Sequence, residues 1–144
     1  MTIKQLATAQ WKQIMDSESD TNKLKHLRQI LKHRQAKAGQ RYYKAAKTRK
    51  TATTLAQLRT GHCQLNAYLH RFQKTPSAYC QCQYEKETVS HYLLACRRYK
   101  DERKWLRGKV GTHNMRLGTL LGDPKLMNYV EEYVERTKRM TTGN

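Results

Sequence analysis

Acidic residues are what this chain most conspicuously lacks. Eleven Asp and Glu stand against 29 Lys and Arg, for a formal charge of +18. Before Glu85 the only acids are Asp16, Glu18 and Asp20, all within five residues. A two-metal nuclease or polymerase centre needs several carboxylates brought in from separate strands, and no paired-aspartate motif occurs anywhere. No nucleophile–base–acid triad presents itself either. Catalysis by this chain alone is not expected, and no catalytic residue is assigned. Long apolar runs are missing as well. Met1-Thr-Ile-Lys-Gln-Leu-Ala holds no stretch of signal-peptide length, and nothing later reaches transmembrane length, so no membrane partner is expected. Aromatic bulk is thin, with one Phe and two Trp beside nine Tyr. With 38% apolar residues and a mean hydropathy of −0.96, the core must be modest and built mainly on Leu. A chain of 144 residues holds one domain, or a small domain with appendages. Thin cores of this size often need a staple.

The cysteines offer one. Cys80-Gln-Cys82, His91 and Cys96 form the pattern C-x-C-x8-H-x4-C, which contains three of the four cysteines within seventeen residues. Three thiolates and an imidazole are soft and borderline donors suited to one tetrahedral zinc, and four protein ligands close the site to chemistry. Two features resist this reading. Side chains two apart on an extended backbone point to opposite faces, so Cys80 and Cys82 converge only if the chain turns sharply at Gln81. Five residues also rotate about 500° along a helix, so His91 and Cys96 share no face of an intact one. The helix must loosen at Cys96 for both to reach one ion. The alternative is reduced, buried cysteines with an unrelated His91. Cys63 is read as structural, although it is available to replace Cys80 or Cys82. Without a secretory signal, a reducing, intracellular compartment is expected, and for a polyanion binder that is the nucleus.

The charge is unevenly spread. From Lys23 to Lys50 there are eleven Lys or Arg and no acid, whereas a merely solvated helix face mixes both signs. This segment is read as a phosphate-contacting one, with Lys32, Arg34, Lys37, Arg41, Lys44, Lys47, Arg49 and Lys50 on phosphates and Tyr42 and Tyr43 placed to stack on bases. Equally, one of these tyrosines docks the segment on the core. A second basic stretch follows Cys96, where Arg97, Arg98, Lys100, Arg103 and Lys104 are the candidate contacts.

Hydrophobic spacing predicts an all-α fold with an irregular zinc loop. A short helix is expected through Ile3, Leu6, Trp11 and Ile14, and another through Leu24, Leu27, Ile30 and Leu31. Leu55, Leu58, His62, Leu65, Leu69 and Phe72 read as a core seam, with His62 a core histidine and a break at Gly61. Thr88 caps a short helix over 89–95. A further helix runs through Met115, Leu117, Leu120 and Leu121. Asp123 and Pro124 then open a last helix that buries Leu126, Val130, Tyr133 and Thr137. Residues 1–50 are expected as a basic helical extension and 51–140 as the helical zinc domain.

Leu55-Ala-Gln-Leu-Arg-Thr-Gly-His-Cys-Gln-Leu-Asn-Ala-Tyr-Leu-His-Arg-Phe72, the Cys80-x-Cys82 pair, Glu87-Thr-Val-x-His91 and Leu93-Leu-x-Cys96 together resemble the C-terminal end of fungal non-LTR (LINE-type) retrotransposon polyproteins. In that family the region follows the reverse transcriptase and RNase H domains. The resemblance covers about residues 50–135. It implies a non-catalytic, nucleic-acid-associated zinc module with Cys80, Cys82, His91 and Cys96 as ligands. One position departs: the family often has Gly after the second cysteine, where this chain has Gln83. The partner is expected to be RNA or DNA. A protein-interaction role, such as an effector on the same scaffold, and a decayed reading-frame fragment are the alternatives.

Overall fold

The computed structural model describes residues 42–140, together with Gln5, Leu6 and Ala9, which are helical. The helices expected through Ile3–Ile14 and Leu24–Leu31 otherwise fall outside the described residues. Among the described residues the architecture is all-α with no strand, as the spacing predicts. None of its helices is long and apolar enough to cross a membrane.

Helix α1 (Arg49–Thr60) begins at Thr48, whose side-chain oxygen accepts the Thr51 amide. It ends at Gly61, in the left-handed conformation (φ 75°) that glycine adopts without penalty. Its inner face carries Thr51, Leu55, Leu58 and Arg59, the i, i+4, i+7, i+8 stripe of an amphipathic helix. Leu55 and Leu58 are fully buried, each worth about 2 kcal/mol of transfer free energy. The short α2 (Asn66–Leu69) runs on as a 3-10 turn, His70–Phe72. Here the expected seam fails in part. Leu65 is buried, but His62 is exposed and Phe72 is 56% exposed. The left-handed turn at Gly61 redirects the chain, so the three-four spacing does not continue across it.

Arg97–Tyr99 leads into α3 (Lys100–Val110), α4 spans Leu117–Leu120, and Pro124–Leu126 leads into α5 (Met127–Thr137). Helix α3 was not expected, since its span reads as a cation run broken by Gly108. It nonetheless buries Arg103, Leu106 and Val110. Asp101 and Glu102 in its first turn, and Arg107 and Lys109 in its last, oppose the helix dipole favourably. Asp123 caps the following turn by accepting the Lys125 amide, and Pro124 opens it, as expected. Helix α5 is the hub on which α1 and α3 both pack. Lys50 reaches Glu135 at 2.6 Å, the Thr51 hydroxyl donates to Glu131, and the Arg136 guanidinium lies over the Trp105 ring at 4.1 Å.

The core also reaches back to Tyr42, which is 1% exposed and lies under the Arg59 guanidinium at 3.9 Å. Beneath the cysteine loop, Tyr92 meets Tyr99 and Tyr133 edge-on, each pair 5.4 Å apart. The Tyr133 hydroxyl donates to the Tyr92 carbonyl at 2.6 Å. Burial pushes the Tyr99 phenol up to about 12 and raises Tyr92 and Tyr133 further. All three hydroxyls stay neutral in the physiological range.

Candidate metal centre

The cysteine pair sits on a short hairpin. Tyr79 and Lys86 form an isolated antiparallel bridge. The Cys80 amide donates to the Glu85 carbonyl and the Glu87 amide to the Ala78 carbonyl, both at 2.9 Å. The tip closes where the Gln83 amide donates to the Cys80 carbonyl at 2.9 Å. This turn solves the problem of the single spacer: it curls Gln81 and Cys82 back so that both sulfurs face one side. The adjustment falls on Gln83, held at φ 66°, a region that favours glycine. Gln83, where the sequences this chain resembles often have Gly, is thus one of three non-glycine residues at positive φ among the described residues, with Gln73 and Lys138.

The second pair converges by another device. Thr88 caps the short helix as expected, its hydroxyl oxygen accepting the His91 amide at 3.1 Å. The helix does not simply loosen at Cys96. Over His91–Ala95 it widens into a π turn, and the Cys96 amide donates to the His91 carbonyl at 2.8 Å. An i→i+5 bond brings residues five apart back to the same side. Cys96 then leaves the helix with an extended backbone.

The result is one cluster. The donor atoms of Cys80, Cys82, His91 and Cys96 all lie within 4.8 Å of one another and can hold a metal ion. Cys80 Sγ is 3.6 Å from Cys96 Sγ, and Cys82 Sγ is 3.3 Å from His91 Nε2. Cys80, His91 and Cys96 are buried, and Cys82 is half-buried at the mouth. Burial pushes the Cys80 thiol up to about 12, although the Cys82 amide beside its sulfur acts the other way. Burial acts upward on Cys82 too. There the Tyr84 amide and the Cys80, His91 and Cys96 side chains prevail and lower the thiol to about 7. Cys63 stays outside the cluster as a buried free thiol, raised to about 12 by burial. Comparison with protein-family models, curated proteins and solved structures finds no match.

Behind the ligands stand residues that spacing alone does not reveal. Glu85 Oε2 is 3.3 Å from His91 Nδ1, within ion-pair reach but without hydrogen-bond geometry, so Nδ1 is buried and unpartnered. A carboxylate at this place orients a metal-binding imidazole through its far nitrogen. Arg103, a candidate phosphate contact, is instead interior, its guanidinium donating to the Cys96 carbonyl at 2.7 Å. Tyr42 is interior too, which fulfils the expectation that one tyrosine docks the segment and removes it as a base-stacking residue. Glu87, 1% exposed, accepts from Arg139 Nε and a terminal nitrogen at 2.8 and 2.6 Å and from the Asn66 amide at 2.7 Å. Asn66 in turn donates its side-chain amide to the Tyr79 carbonyl at 2.8 Å. Glu87 and Asn66 thus clamp the hairpin to α2.

Of the remaining candidate contacts, Lys44, Lys47, Arg49, Arg97, Arg98, Lys100 and Lys104 are exposed and Tyr43 is half-buried. Lys50 is exposed and paired with Glu135. Lys32, Arg34, Lys37 and Arg41 lie outside the described residues. On the hairpin, the Arg97 guanidinium stacks over Tyr84 at 3.7 Å and donates to its hydroxyl at 2.6 Å. Tyr84 is 60% exposed and Tyr79 is 52% exposed.

Proposed function

We propose that the chain is a non-catalytic zinc module that binds nucleic acid, of the kind found at the tail of a non-LTR retrotransposon polyprotein. Zinc suits the donor set. Ligands about 2.3 Å from a tetrahedral ion are about 3.8 Å apart, close to the 3.6 Å and 3.3 Å separations of the two donor pairs. Cys80, Cys82, His91 and Cys96 would hold the ion and fill its coordination, so its contribution is to fix the hairpin. The role in folding is that of a staple.

The observation that carries the nucleic-acid reading is the Arg97–Tyr84 stack on the exposed side of this hairpin. A guanidinium over an aromatic ring offers a cation for a phosphate and a flat surface for a base. Arg98, Lys100 and Lys104 follow on the same segment, in a chain of charge +18. Binding of a labelled oligonucleotide across a salt series tests the reading. Neutralising about six phosphates on a single strand gives a slope of roughly −4 in log K against log salt. A flat dependence, or no binding at low salt, overturns it.

A further inference from the structure

The seam that leaves the core at Gly61 forms a surface feature of its own. His62 stacks on Tyr68 with ring centroids 5.1 Å apart and an interplanar angle of 30°. Tyr68 meets Phe72, four residues on, at 4.9 Å. His62 is exposed, Tyr68 half-buried, and Phe72, the one phenylalanine of the chain, 56% exposed. The arrangement is fixed by backbone: the Gln73 amide closes the last turn onto the His70 carbonyl at 3.0 Å, with Gln73 itself at φ 56°. Arg71 and Lys74 on either side of Phe72 are exposed. No Asp or Glu occurs between Asp20 and Glu85, so this stretch presents rings and positive charge with no acid of its own.

We propose that the His62–Tyr68–Phe72 row is a second nucleic-acid contact, one that takes unpaired bases of a single strand by stacking. This rests on the nucleic-acid reading above and adds strand preference to it. A row of rings serves single strands in particular, because every base offers a flat face and only unpaired bases can leave their own stack to use it. Arg71 and Lys74 hold the adjoining phosphates. Sequence preference is weak, since stacking is tolerant of base identity. Phe72, at the outer end, carries most of the contact.

The test compares a fluorescently labelled oligo-dT strand with a duplex DNA hairpin, each titrated with the full metal-loaded chain at one salt concentration. Phe72→Ala should weaken strand binding by roughly 5- to 150-fold, the range for one stacked base, and leave duplex binding unchanged. Phe72→Trp should restore the strand affinity, and both variants should keep the metal content and melting temperature of the parent. Undiminished strand binding by Phe72→Ala overturns the inference while leaving the nucleic-acid reading intact. An equal loss on both probes also overturns it, since the ring would then act on something common to strand and duplex. A parent chain that binds neither probe overturns both.

Discussion

Glu87→Gln is the substitution on which the account of the fold is most exposed. Glu87 is 1% exposed and accepts three hydrogen bonds, two of them from the Arg139 guanidinium. Removing one partner of a buried ion pair costs about 3–5 kcal/mol, chiefly because the other charge is stranded. Two features moderate that figure. The Arg139 side chain is 21% exposed, so water reaches part of its charge. A glutamine oxygen in the place of Oε2 also still accepts two of the three bonds. The expected loss is therefore roughly 2–3 kcal/mol. Urea unfolding of the metal-loaded chain measures it as a lower midpoint at constant slope. Arg139→Met should lose a comparable amount, and the double variant less than the sum, because the two residues share one interaction. A loss below about 1 kcal/mol, the level of a surface pair, would refute the claim that this clamp holds the hairpin to α2.

Gln83→Gly should stabilise the chain by about 0.5–1 kcal/mol, by relieving the left-handed backbone at the hairpin tip; a lower melting temperature would contradict the turn geometry. Glu85→Ala should keep one metal per chain but weaken its retention against a competing chelator by at least about tenfold, as loss of the partner behind a ligating imidazole does; unchanged retention would mean that Glu85 is a bystander. At pH 8 in the metal-loaded chain the Cys63 thiol, raised to about 12 by burial, stays protonated, and the ion would occupy the sulfurs of Cys80, Cys82 and Cys96. Iodoacetamide followed by peptide mapping should therefore leave all four cysteines largely unmodified until a chelator is added, and fast labelling of Cys63 in the metal-loaded chain would count against its burial.

The donor set was legible because C-x-C-x8-H-x4-C leaves few combinations of ligands. Its geometry was not. Neither the turn that places Gln83 at positive φ nor the π turn from His91 to Cys96 has a signature in residue type, since both are imposed by what the ends must reach. Helix α1 and the approach to α5 were readable from local signals: Leu55 and Leu58 at helical spacing, Gly61 as a stop, Asp123-Pro124 as a start. Helix α3 was obscured because its buried stripe includes a cation, Arg103, which serves the Cys96 carbonyl. For the same reason charge alone misassigned Arg103 to the surface. His62 and Phe72 went the other way, from expected core to exposed row, because a pattern of threes and fours holds only while the helix continues. The meeting of Glu87 with Arg139 joins residues 52 apart, a distance over which no periodicity speaks.

On the proposed reading, a metal ion held by Cys80, Cys82, His91 and Cys96 staples this fold. Native mass spectrometry of protein purified without chelator tests it most directly. One zinc per chain is expected, retained by Cys63→Ala and lost, with loss of the folded state, by Cys96→Ala. A folded chain that carries no metal, or one whose metal depends on Cys63 as much as on Cys96, would contradict it.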